Sequence, residues 1–179
     1  MNKDDIKIAE ITLNLLKKKL WHNIKYEEII KSTNKKNTSI NSKKDLIKNI
    51  NRYVDHLLKK ETKFIEKSTP KDTLFEVIMM RFDILQKNRI SFLKLYNSFK
   101  ITPQKSLIFI PSFLESMILV AKIADINING IRGGLIIKGI FIIYIATFFS
   151  WINDNSTSLE KTMTSLDNYL NKVIKIFYF

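Results

Sequence analysis

An all-helical protein, with a small basic head ahead of a larger apolar body, is the fold class that three observations predict. The chain has 179 residues but only 4 Gly and 3 Pro, so few turns are built around those residues and long helices are favoured over many short strands. Apolar side chains recur at three- and four-residue spacing along most of the chain, and no segment alternates as a strand. Charge is uneven: the first 60 residues hold 15 Lys/Arg against 7 Asp/Glu, and the remaining 119 hold 15 against 10. The positive density of the first third is therefore more than twice that of the rest, which marks a basic N-terminal module within a total of +13.

Each element follows from its residues. Between Lys3 and Leu20, Ile8, Ile11, Leu15 and Leu16 fall on one helical face, opposite Lys7, Asn14 and Lys18. Trp21-His22-Asn23 interrupts that pattern, and Ile24, Tyr26, Ile29 and Ile30 resume it briefly. Ser32 to Asn41 has Ile40 as its one apolar residue and reads as a turn or a weak helix. Ser42 and Asp45 form a helix start, because a Ser oxygen accepts the amide three residues on and a carboxylate favours the positive helix end. The helix it opens carries Leu46, Ile50, Tyr53, Val54, Leu57 and Leu58 and is expected to run to Lys67.

Ser68 to Asp72 reads as a stop and a fresh start, with Pro70 in a first turn. Leu74, Phe75, Ile78, Phe82 and Leu85 stripe the following helix, and another covers Arg89 to Phe99. Pro103 to Ile126 has a helical pattern with a break expected at Pro111. Asp125 to Gly130 is a loop, Ile131 to Ile152 the most apolar helix, and Asn153 to Ser156 a turn. Thr157 and Glu160 have the spacing of a capping box before a last helix with Leu159, Met163, Leu166, Leu170 and Val173.

Several chemistries find no support. Cysteine is absent, which excludes disulfides, thiolate zinc sites and iron–sulfur clusters. His22 and His56 are the only histidines, and neither has a ligand partner at helical spacing. Asp4-Asp5 and Glu27-Glu28 are adjacent pairs whose side chains diverge by about 100°, so they suit helix N-termini better than acid–base work. Gly130, Gly133 and Gly134 lack both the preceding strand and the spacing of a phosphate loop. No catalytic residue, metal or cofactor is expected, and the chain is not expected to be an enzyme. Met1 to Asp5 shows no basic-then-apolar leader pattern, so a cytoplasmic location is expected. Leu135 to Ile152 is eighteen residues with a single charge, Lys138. That is marginally long enough to cross a bilayer, but a buried helix at a core or subunit interface is the expectation.

Particular residues add a resemblance. Ile8-Ala9 through Leu15, then Trp21, Ile24, Tyr26-Glu27-Glu28-Ile29-Ile30 and Ser42-Lys43-Lys44-Asp45-Leu46-Ile47 resemble the N-terminal pattern of tetracycline-repressor-type (TetR) transcriptional regulators. Met79 to Leu85, Ala124 to Gly130, Trp151 to Ser156 and Lys161 to Asp167 are similar to an alphaproteobacterial branch of that family. The resemblance implies a three-helix helix-turn-helix head over 1–48 and a C-terminal ligand-binding and dimerisation body over 49–179. The chain departs from the pattern where it matters most. Asn34 stands at the family's turn glycine, and the stretch from there to Ser42 is about one helical turn shorter and has no aromatic residue.

The resemblance implies the following roles. Lys35, Lys36, Asn37, Thr38, Ser39 and Asn41 face the major groove, while Lys25, Lys43 and Lys44 hold phosphates, Lys43 matching the family's phosphate-contacting lysine. Met79, Phe82, Phe109, Met117 and Tyr144 are candidates for the pocket of a small apolar ligand. Tyr144, Phe148, Trp151, Met163, Leu166 and Leu170 are candidates for a homodimer interface. The expected function is ligand-responsive transcriptional regulation, most simply repression. The alternative is a lipid- or isoprenoid-binding protein of the same fold with a degenerate head. The ubiquinone-biosynthesis lipid-binding family has a comparable spacing of Trp151, Asp154, Ser156, Thr162, Leu166 and Asp167. Under that alternative the basic, aromatic end from Lys172 to Phe179 is expected at a membrane surface.

Overall fold

Helix-starting and helix-ending residues cut the described residues of this chain into eight α-helices. The computed structural model describes residues 1–33, 38–66, 68–100 and 103–177, and no strand occurs among them. In order, α1 is Lys3–Lys18, α2 Tyr26–Lys31, α3 Lys43–Glu61, α4 Pro70–Gln86, α5 Arg89–Lys100, α6 Ile110–Ile123, α7 Gly130–Ile152 and α8 Glu160–Phe177. Short 3-10 turns cover Trp21–Asn23, Thr62–Phe64 and Pro103–Phe109. The all-α class expected from the sequence is the observed one.

Local chemistry accounts for the ends. Asn2 Oδ1 accepts the Asp5 amide at 2.7 Å and starts α1. Ser42 Oγ accepts the Asp45 amide and donates to Asp45 Oδ2 at 2.8 Å, the start expected for α3. Thr69 and Asp72 repeat this exchange around Pro70, which sits where its missing N–H costs nothing.

Three expectations are corrected. α3 stops at Glu61 and not at Lys67, because the chain tightens into a 3-10 turn in which Thr62 Oγ1 donates to the Leu58 carbonyl at 2.8 Å. The break near Pro111 falls ahead of it: α6 begins at Ile110, so Pro111 occupies a first turn and breaks nothing. The start of α8 is satisfied by Ser156, whose Oγ accepts the Glu160 amide at 3.1 Å, and by Asp154, in place of Thr157.

The chain forms two compact units. Unit 1 comprises Met1–Leu57 and Ile84–Ser112; unit 2 comprises Leu58–Asp83 and Phe113–Phe179. The expected linear boundary at residue 48 lies inside α3, and the basic unit takes in a second stretch of chain that contains all of α5.

In unit 1, α5 lies beside α1. Ser91 Oγ donates to the Leu13 carbonyl at 2.7 Å, Lys94 Nζ to the Lys17 carbonyl at 2.8 Å, and the Trp21 amide to Ser98 Oγ at 3.3 Å. These partners advance together along both segments, so the two helices run parallel. The Trp21 ring lies 6.4 Å from Phe99, which in turn meets Phe109 edge-on at 5.8 Å. Ile8, Leu16, Ile24, Ile29, Leu46 and Ile50 are buried beneath.

In unit 2, α7 and α8 pack together as a hairpin. Phe82 of α4 stacks on Tyr144 at 5.2 Å and reaches Trp151 at 6.3 Å. Arg81 is buried with them and donates from Nε to Tyr144 Oη at 3.2 Å. The hairpin turn is held by Asp154. Its Oδ1 accepts from the Ser156 amide and hydroxyl, and its Oδ2 from the Thr162 amide and hydroxyl at 2.8 Å each. Burial alone raises the Asp154 pKa, but these bonds outweigh it and hold the carboxyl at about 2. Gly130 turns the chain into α7 with φ +64°, and Gly133 leaves room for the Ile128 backbone, which a Cβ there would meet at 2.0 Å. Gly130 and Gly133 thus serve backbone geometry.

Candidate nucleic-acid interface

Charge is divided between the units far more sharply than along the chain. The ranges of unit 1 contain 18 Lys/Arg and 7 Asp/Glu, a net +11; those of unit 2 contain 12 and 10, a net +2. Residues 84–112 contribute five cations and no acid to unit 1. Positive charge is therefore concentrated on one unit, while the other is nearly neutral.

The segment expected to enter the major groove begins after α2. Ser32 and Thr33 follow that helix, and Thr38, Ser39, Ile40, Asn41 and Ser42 precede α3; none of them is helical. Lys35, Lys36 and Asn37 lie outside the described residues. Thr38 is turned inward: its hydroxyl donates to Asp5 Oδ1 at 2.7 Å and accepts the Ile40 amide at 3.1 Å. Ile40 is buried, and its carbonyl accepts the Tyr26 hydroxyl at 2.7 Å. This stretch, which has no aromatic residue of its own, is thus held by Tyr26 of α2 together with the buried Ile40. Ser39 and Asn41 are exposed, as are Lys25 and Lys44.

Lys43 departs from its expected place. Its ammonium donates to the His22 carbonyl at 3.1 Å and lies 5.0 Å from the centre of the Trp21 ring. Partial burial there lowers its pKa. Two bases for phosphate contact thus point to solvent, Lys25 and Lys44, and a third is committed to the Trp21 turn. Asp45 is held low by the Ser42 hydroxyl, with smaller contributions from Asn41 and Lys48, and remains the carboxylate that starts α3.

The expected ligand and dimer residues fall mostly in cores. Met79, Phe82, Met117 and Tyr144 are buried within unit 2, and Phe109 is buried within unit 1 against Phe99. A surface concavity of about 260 Å³ in unit 2 is lined by none of them; Asp125, Asn127, Asn129, Arg132 and Ile136 contribute to its wall. Tyr144, Trp151, Leu166 and Leu170 are buried inside unit 2, Phe148 is half-buried beside Trp151, and Met163 is exposed. What α7 does present is a line of Ile131, Leu135, Ile142 and Phe149, from 50% to 89% exposed. The sequence signal for this line was present in the apolarity of the helix, but not which of its faces would be covered.

Among the described residues no group of three or more His, Asp or Glu is placed to hold a metal ion. Two stretches, Gln104–Ile123 and Gly130–Ile152, are long and apolar enough to cross a membrane; the second buries one face, including Ile136, Ile140, Tyr144 and Trp151, within unit 2. No known family model matches the chain, and a comparison with curated proteins finds no match.

Proposed function

We propose that the chain is a DNA-binding transcriptional regulator of the tetracycline-repressor type, acting in the cytoplasm. Unit 1 holds the phosphate backbone, and unit 2 pairs with a second copy and responds to a small apolar ligand. The observation that carries this reading is the segregation of charge, +11 in unit 1 against +2 in unit 2. The exposed Lys25, Lys44, Ser39 and Asn41 around the start of α3 support it, since these side-chain types contact phosphates and base edges. A second copy would cover Ile142 and Phe149 of α7 and Met163 of α8, which otherwise leave apolar surface in water.

A second reading is favoured by one observation. Thr38 to Ser42 is non-helical and Thr38 is bonded inward, so the groove-reading element is reduced. The chain would then keep the fold but bind lipid or isoprenoid without reading bases.

Fluorescence anisotropy separates the two. The chain is titrated against DNA from upstream of its own gene and against scrambled DNA at several salt concentrations. Sequence-dependent binding that weakens log-linearly with salt supports the regulator. Equal, weak binding to both DNAs that vanishes at physiological salt overturns it and promotes the lipid-binding reading. Light scattering tests pairing: a monomer would overturn that part of the proposal.

A further inference from the structure

Unit 1 carries further cations at the C-terminal ends of α1 and α5. α1 ends in Lys17 and Lys18, followed by Lys19, all exposed. The Lys94 ammonium reaches the Lys17 carbonyl at 2.8 Å, which sets the C-terminal half of α5 beside that end. Lys100 closes α5 and is exposed, next to Phe99, whose ring lies 6.4 Å from Trp21. Glu28 is the acid paired there, bonded to Lys19 at 2.7 Å.

Helix C-termini attract cations, because their last carbonyls carry partial negative charge. That accounts for Lys94 on the Lys17 carbonyl. It leaves Lys17, Lys18 and Lys100 as positive charge at the ends of two parallel helices.

We infer that Lys17, Lys18 and Lys100 form a sequence-independent contact for the phosphate backbone of a nucleic acid, extending the interface of unit 1 to the C-terminal end of α5. This rests on the reading of unit 1 as a nucleic-acid-binding unit. Ammonium groups act as point charges for phosphates and need no base to read. An anionic bilayer offers similar charge but requires an apolar face to enter. Among the described residues, Leu20 at the end of α1 and Leu107 and Ile108 of the 3-10 turn packed against α5 are exposed aliphatics, so binding to vesicles is the competing outcome of the test.

The test uses the full chain, a labelled random-sequence duplex, and salt between about 50 and 200 mM. The variant Lys17→Gln/Lys18→Gln/Lys100→Gln is expected to bind at least about tenfold more weakly, with the slope of log affinity against log salt reduced by roughly 2 to 3. Lys161→Gln/Lys172→Gln in α8 is expected to leave both unchanged. Should the triple variant melt early, Lys100→Gln alone is expected to reduce the slope by about 1. If the unaltered chain binds the duplex and these variants keep its affinity and slope, the inference falls while unit 1 remains a nucleic-acid-binding unit. If the unaltered chain binds no nucleic acid, both fall. If it sediments with phosphatidylglycerol vesicles and not with the duplex, the surface belongs to a membrane and the inference is overturned.

Discussion

Unit 1 and unit 2 are of similar construction but are held together differently. In unit 1, side chains reach across to backbone carbonyls: Ser91 to Leu13, Lys94 to Lys17, Tyr26 to Ile40, Asn49 to Asp5. In unit 2, large rings stack in a core around a buried arginine, and one carboxylate fastens the hairpin. The difference teaches where each unit is vulnerable. Single polar ties contribute about 1 kcal/mol each, whereas a buried ring or an ionised, fully bonded carboxylate contributes several times that. It also separates roles, since unit 1, which has the more numerous polar ties beside its Trp21–Phe99–Phe109 cluster, carries +11 of the net +13.

The comparison is broken most directly at Trp151, which is fully buried. Trp151→Ala is expected to cost about 4 kcal/mol in thermal or denaturant unfolding. Gly133→Ala comes next, at about 3 kcal/mol, because its Cβ meets backbone and not a side chain that yields. A neutral melt for either would mean that the α7–α8 hairpin does not anchor unit 2.

Asp154→Ala is expected to cost about 3 kcal/mol by leaving the Thr162 amide and hydroxyl without their acceptor. The same residue gives unit 2 an acid limb. Its folded pKa, about 2, lies below the ordinary 3.8, so the contribution is complete above pH 4 and is lost as pH falls through 2. The loss amounts to about 2 kcal/mol, and Asp154→Asn should remove that part of the pH dependence. Melting both forms across this pH range checks the sign; parallel profiles would deny the role.

Tyr26→Phe sharpens the contrast from the other side. It removes the hydroxyl on the Ile40 carbonyl and should cost about 1 kcal/mol, well below the changes in unit 2. An equal cost would erase the distinction between the units. The smallest effect on stability is expected for Lys25→Gln/Lys44→Gln, within about 0.5 kcal/mol, because both side chains are exposed. DNA affinity measured on the same sample should nonetheless fall, and unchanged binding would remove these two residues from the interface.

Much of this fold was legible in one dimension. The helical periods place α1, α4, α5, α7 and α8 and the start of α3 within a few residues of their bounds, because an apolar stripe at 3.6-residue spacing has few alternatives. Ser42, Asp45 and Pro70 mark starts correctly, since capping is decided by neighbours three residues apart. Thr157 fails as a marker because Ser156 takes the Glu160 amide and Asp154 the Thr162 amide, and α3 falls short of its expected end where Thr62 bonds back to the Leu58 carbonyl. Of the candidate interface, Lys25, Lys44, Ser39 and Asn41 are exposed, while Thr38 turns inward to Asp5, 33 residues away, and Lys43 folds over the surface onto His22 and Trp21.

By itself, the sequence determined an all-helical chain, its excess of positive charge, and the absence of cysteine chemistry, because periodicity, composition and residue type are local properties. Tertiary structure alone decided that residues 84–112 join the N-terminal unit and concentrate the charge there. It also decided that Tyr144, Trp151, Leu166 and Leu170 are covered within unit 2, while Ile142 and Phe149 are left outward. Helical spacing tells which side chains share a face, but which face is buried depends on the neighbour that packs against it, and that neighbour comes from elsewhere in the chain.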